Sequence, residues 1–249
     1  LAFVAAAGAG SARGDDVVAD AEGLLAKGSA AAALERLRPL AEDPGRAADP
    51  RVQAAYGAAL LATGDASGAV AALRAVVRVR PQAQDRWMLA RALIATARES
   101  LASGPRLAVS VVPYLEDALA EARAVAPQDD EERRRFALVV GEARWLMGDS
   151  VRAKEALSDA TLVADPFAQD LLARACYAVQ DFAGAAAAWG RARNERGRAA
   201  AWSAAKDPRA IAAYATLALA HLDDPELGDE AIRGAAYVDG GVGLDAALA

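Results

Sequence analysis

Cysteine, histidine and lysine are scarce in this chain of 249 residues: one Cys (Cys176), one His (His221) and three Lys (Lys27, Lys154 and Lys206). A single thiol closes no internal disulfide, so the chain is not a disulfide scaffold, and its cysteine usage leaves the redox compartment open. One imidazole leaves little from which to build a His-based metal or acid–base site. Aromatic residues are only 5% of the chain, so a core must be filled by smaller side chains. No stretch approaches the roughly 18 consecutive apolar residues that a membrane-spanning helix needs. There is no excess of positive charge either. With 28 basic and 34 acidic residues, a net charge of -6 and a pI near 5.0, the chain opposes the phosphate attraction behind most nucleic-acid binding, and no nucleic-acid partner is expected.

What the chain has in quantity is alanine, 71 residues of it, within a hydrophobic content of 55%. Apolar content carried by Ala rather than by Val, Ile or Phe favours helix over sheet. The sequence therefore predicts an all-α protein. Its first residues, Leu1-Ala2-Phe3-Val4-Ala5-Ala6-Ala7, are apolar and run into Gly8-Ala9-Gly10-Ser11-Ala12. Two readings fit residues 1–13: the tail of a clipped signal peptide, with Ala7-Gly8-Ala9 or Gly10-Ser11-Ala12 as cleavage-like triplets, or a frayed, disordered terminus. The first implies an exported, periplasmic protein, and the second leaves it cytoplasmic.

An internal repeat organises the rest. Tyr56-Gly57, Leu60, Gly64, Ala69, Leu73, Val76 and Pro81 recur as Val140-Gly141, Arg144, Gly148, Ala153, Leu157, Ala160 and Pro166. Here Arg144 stands where a large apolar residue is usual. An earlier copy reads Ala21, Leu24, Gly28, Ala33, Leu37 and Leu40. A later one reads Leu172-Ala173, Cys176, Gln180, Ala185, Trp189 and Ala192, without the turn glycine. Another copy starts at Trp87, Ala90 and Ile94 and resumes at Leu115, Leu119, Ala122 and Pro127, with about twelve extra residues around Ser100 to Val111. The segment 207–239 reads as a degenerate last copy, and the Gly-rich residues 240–249 as a flexible tail. Asp-Pro pairs at residues 43, 49, 165, 207 and 224 join an N-cap acceptor to a residue suited to the first helical turn.

This pattern resembles the tetratricopeptide repeat (TPR), a helix-turn-helix of about 34 residues. The resemblance implies a right-handed α-α superhelix, a TPR-like solenoid of about five to six repeats over residues 14–239. Each helix pair in such an array must bury its apolar faces against the next. It also implies a non-enzymatic adaptor or scaffold whose concave face, lined by the first helix of each repeat, takes a protein or peptide partner.

On that register the face includes Ala54, Ala58, Leu61, Met88, Ala92, Leu138, Glu142, Trp145, Asp170, Arg174 and Tyr177. Family members that clamp a peptide's terminal carboxylate carry Lys, Arg and Asn there, and this chain does not. A mostly apolar groove is expected instead, with Trp145 and Tyr177 as anchors and Arg174 as a polar fix; the alternative is that both aromatics pack between repeats. Arg191, Arg193, Arg196 and Arg198, opposed only by Glu195, form a local basic excess suited to an acidic partner or to an ordinary exposed face. Asp129-Asp130-Glu131-Glu132 followed by Arg133-Arg134-Arg135 reads as a solvated helix start. Cys176 falls at a packed position. His221 with Asp223 and Asp224 reads chiefly as helix capping. No catalytic residue, metal or cofactor is assigned. The second reading, an all-helical enzyme working in the superhelix cavity, would rest on His221, Asp223 and Glu142. A place in a bacterial cell-envelope assembly would follow from an exported N-terminus.

Overall fold

Many helices in this chain begin at Asp, and several end at a left-handed residue. The computed structural model describes residues 5–103, 108–221 and 223–238, and no strand occurs among them. Its α-helices are α1 (Ala5–Ala26), α2 (Ala30–Glu42), α3 (Pro50–Thr63), α4 (Ala66–Val79), α5 (Ala83–Ala102), α6 (Ala108–Arg123), α7 (Asp130–Leu146), α8 (Ser150–Leu157), α9 (Pro166–Ala178), α10 (Phe182–Arg191), α11 (Glu195–Ala204), α12 (Arg209–Ala220) and α13 (Pro225–Val238). A 3₁₀ turn, Ala160–Leu162, precedes α9. Asp49, Asp65, Asp129, Asp149, Asp165, Asp181 and Asn194 occupy N-caps, and the side chain of each accepts from a backbone N–H in the first turn. These donors have no partner within the helix, so each cap satisfies a group that would otherwise be orphaned.

Four of the turns inside repeats are built one way. Gly28, Gly64 and Gly148 have φ of 76°, 93° and 79°. The next residue in each case returns its amide N–H to a carbonyl of the helix just ended: Ser29 to Leu24, Asp65 to Leu60 and Asp149 to Arg144, all at 2.9 Å. This is the Schellman closure, which favours glycine at the left-handed position. The copy without a turn glycine closes the same way, with Gln180 at φ 63° and Asp181 N–H donating to the Cys176 carbonyl at 2.9 Å. Arg193 (φ 58°) and Lys206 (φ 54°) repeat the device after α10 and α11.

The chain divides into two compact units, Leu1–Ala126 and Pro127–Ala249. In the first, α1 to α6 pack each on the next, and α3 also touches α1 and α5. Leu37, Val52, Leu73, Val76, Leu93, Ile94 and Leu115 are buried there. α5 has 20 residues against the 14 of α3, so part of the extra sequence near Ser100 extends this helix; residues 104–107 of that insertion lie outside the described residues. In the second unit α7 to α13 follow the same neighbour-on-neighbour order. Leu157, Leu162, Leu172, Cys176 and Trp189 are buried among α7 to α10, and Tyr214 among α11 to α13.

Two glycines show why the repeat needs a small residue at one position. A Cβ on Gly57 would lie 2.7 Å from Leu73 Cγ, and one on Gly141 would lie 2.4 Å from Leu157 Cγ. In both repeats a leucine sixteen positions later in the second helix seats against bare backbone of the first, which is the close approach the spacing predicts. Arg144, the departure from the pattern, is largely covered and pairs with Asp149 at 3.5 Å.

The register holds through α10, and beyond it the structure adds a helix that the repeat spacing does not place. α11 (Glu195–Ala204) stands between the Leu172 to Ala192 copy and the segment 207–239, and it packs on both α10 and α12. Residues 5–13, read as a tail, form the start of α1. The Gly-rich residues 240–249 lie outside the described residues.

Candidate partner-binding site

α9 carries Asp170, Arg174 and Tyr177 at helical spacing, so all three emerge on one face. Asp170 is the hub. Its carboxylate accepts from Arg174 Nε at 2.7 Å, from the indole Nε1 of Trp189 on α10 at 2.9 Å, and from Asn194 Nδ2 at 3.1 Å. Burial pushes this carboxyl up, but the donation from Asn194, Arg174 and Trp189 outweighs it and holds the group below its ordinary value. The Arg174 charge is therefore already matched at rest.

Tyr177 is 39% exposed, yet its ring is held on two sides. Phe182 meets it edge-on with centroids 5.2 Å apart, and Trp189 lies at 5.8 Å. Both distances suit aromatic pairs. Phe182 and Asn194 join the site although repeat spacing does not point to them, because neither falls on the first helix of a repeat. Trp145 and Leu138, expected on the same face, are half-buried against the apolar core of α7 to α10, and Glu142 is buried on α7. Ala54 and Ala92 are buried in the first unit, whereas Ala58, Leu61 and Met88 are half-buried.

The basic residues after α10 are mostly engaged. Arg191 Nε donates to Gln169 Oε1 at 2.6 Å, and Gln169 in turn donates to the Leu162 carbonyl at 3.0 Å. Arg196 pairs with Glu230, and Arg198 with Glu195. Arg193 is the exposed left-handed residue of a turn. Beside them lies a cavity of about 340 Å³ whose lining includes Phe182, Ala187, Arg198, Trp202 and Arg209. The Arg198 and Arg209 guanidinium carbons stand 4.8 and 5.0 Å from the Trp202 ring centroid.

The remaining sequence candidates stand at a buried position of α9 and at helix ends. Cys176 is buried, and burial pushes its thiol up, away from the thiolate form a nucleophile needs. His221 is exposed at the end of α12, where its backbone N–H caps the Leu217 carbonyl at 3.1 Å; Asp224 caps α13 through Leu227 N–H at 3.0 Å. Asp129 caps α7 through Glu132 N–H at 2.8 Å, and Asp130–Arg133 and Glu131–Arg135 pair along its first turns. Among the described residues no three His, Cys, Asp or Glu side chains gather to hold a metal ion. No helix among them is long and apolar enough to cross a membrane.

No family model matches the chain, and no curated protein matches it in sequence. A solved structure shares its fold. The crystal structure of a thermophilic TPR protein from Thermus thermophilus matches with a TM-score of 0.54, covering 76% of this chain and 97% of that one at 20% sequence identity. The fold is that of the tetratricopeptide-repeat proteins. Within the TPR fold, α9 and α10 form one helix pair joined by the Gln180 turn, and the Asp170 network with its aromatic neighbours belongs to that pair.

Proposed function

We propose that this protein is a non-enzymatic adaptor that holds a partner protein or peptide on its helix pairs, with Tyr177 as an anchor. One observation carries the reading: the Tyr177 ring is open to solvent while Phe182 and Trp189 fix its position. An exposed aromatic that is already ordered loses little freedom on binding, and rigid aromatics of this kind dominate interface energetics. The Asp170–Arg174 pair beside it supplies polar orientation at the rim.

The test is affinity capture from extract of the source cell, comparing the wild-type chain with a Tyr177→Ala, Arg174→Glu variant shown by circular dichroism to stay helical. A partner held by the wild type and lost from the variant supports the reading. Partners retained equally by both would remove this face as the site. The apolar segment Leu1–Ala7 with its small-residue triplets supports a site of action in the cell envelope. Fractionation of source cells tests that: recovery with soluble cytoplasmic markers rejects it.

A further inference from the structure

We propose that the cavity between α10, α11 and the start of α12 is a binding site for an aromatic carboxylate. The inference stands apart from the adaptor reading, since it does not use Tyr177. At about 340 Å³ the space falls within the range of small-ligand sites, ~300–1,000 Å³. α10 contributes Ala183 and Ala187 one turn apart with Phe182 beside them, and α11 contributes Trp202. Phe182, Trp202 and the small side chains form the apolar part of the lining and Arg198, Asp207 and Arg209 the polar part, which suits a flat apolar body with a charged end.

The charged end of the ligand is specified by one donor that the protein leaves without a hydrogen bond, Arg198 Nε. Arg209 is committed: its Nε lies 3.0 Å from both carboxylate oxygens of Asp207, and a terminal nitrogen also reaches Asp207. Arg198 is not. It makes one ion pair, with Glu195 three residues earlier on the same helix, and its Nε is buried with no hydrogen-bond partner. A buried donor left unmet is costly, whereas a partly exposed ion pair within one helix contributes little. The guanidinium can therefore give up Glu195 and turn its Nε edge to a carboxylate in the cavity, where a two-pronged contact is the strongest it can make. Stacking on Trp202 keeps the guanidinium plane at the cavity during that turn.

Of the charged side chains that line the cavity, Arg198 and Arg209 are basic and Asp207 is acidic, a local balance that favours an anion over a cation. The recognised chemistry, one carboxylate on an aromatic body, occurs both in free aromatic acids and where an acidic residue adjoins an aromatic one in a partner chain.

The experiment titrates the full chain with 3-phenylpropionate and, separately, with its neutral amide, following the indole N–H signal of Trp202 by NMR. A ligand of this size is expected to bind with a Kd of roughly 0.1–10 mM, with the amide at least tenfold weaker. Arg198→Gln is expected to weaken the acid at least tenfold. Ala187→Phe, at an exposed helix position, is expected to fill the slot and abolish the shift, with circular dichroism checking that the variant stays helical. A capped peptide containing Asp-Phe distinguishes the sources: tighter binding than the free acid points to a partner chain, and weaker binding to a free metabolite. Either pattern supports the site, provided that Arg198→Gln loses it. Equal binding of acid and amide, unchanged binding by Arg198→Gln, or no saturable shift with either probe overturns it.

Discussion

Trp189 donates its indole N–H to Asp170 at 2.9 Å, so the side chain that fills the space between α9 and α10 also fixes a carboxylate on the facing helix. Because this carboxyl titrates below its ordinary value in the fold, its contribution to stability is present above the unfolded value, near pH 4, and is lost as pH falls through the folded one. Asp170→Asn is therefore expected to be less stable than wild type at pH 7, with the gap narrowing on acidification to pH 3. Denaturant unfolding at the two pH values checks this. A gap of constant size would show that the charge of Asp170 is irrelevant.

Gly141→Ala places a methyl group 2.4 Å from Leu157 Cγ. Alanine is the better helix former by about 1 kcal/mol, but a clash of this depth in a packed interior costs more, about 1–3 kcal/mol. The variant is expected to melt lower by several degrees, and Gly141→Ala to cost less in a chain that already carries Leu157→Ala than in the wild type. Unchanged melting of the single variant would contradict the packing register.

Gln180 adopts φ 63°, a region where a side chain strains the backbone and glycine does not. Gln180→Gly is expected to raise stability by about 1 kcal/mol, measured by thermal unfolding. Gly64→Ala, at φ 93°, is expected to lower it by a similar amount. Parallel changes in the two variants would reject the shared turn.

Burial pushes the Tyr214 hydroxyl up to about 12. The neutral phenol is thus favoured in the fold, so its stabilisation is complete below the unfolded value near pH 10 and fades between there and about pH 12. Tyr214→Phe is expected to unfold less steeply with pH over that interval. Identical alkaline transitions in the two proteins would refute it.

The fold was legible in the sequence at the residues whose role is local. Gly28, Gly64 and Gly148 mark left-handed turns, and Asp49, Asp165 and Asp224 mark helix starts, because the backbone demands these residue types wherever they stand in a fold. Gln180, Arg193 and Lys206 occupy the same conformation without advertising it, since tertiary packing overrides their preference. That is why α11 went unread: its start at Asn194 follows a non-glycine turn, and its arginines look like a surface charge cluster. Gly197 within that cluster is a packing residue, for a Cβ there would lie 2.6 Å from Trp189. At the candidate site, Tyr177 and Arg174 could be placed on a helix face from spacing alone. Their engagement by Phe182 and Asp170 depends on how α9 meets α10, which spacing does not encode.

The neighbour-on-neighbour order of the helices also governs how the chain reaches its structure. Within each unit the substantial helix contacts join elements adjacent or next but one along the chain, so closing them costs little loop entropy and contact order is low. A folding nucleus can arise at any helix pair and spread from there, one pair at a time. The same property lets one helix pair open while its neighbours stay closed, so amide hydrogens are expected to exchange with solvent pair by pair and not all together.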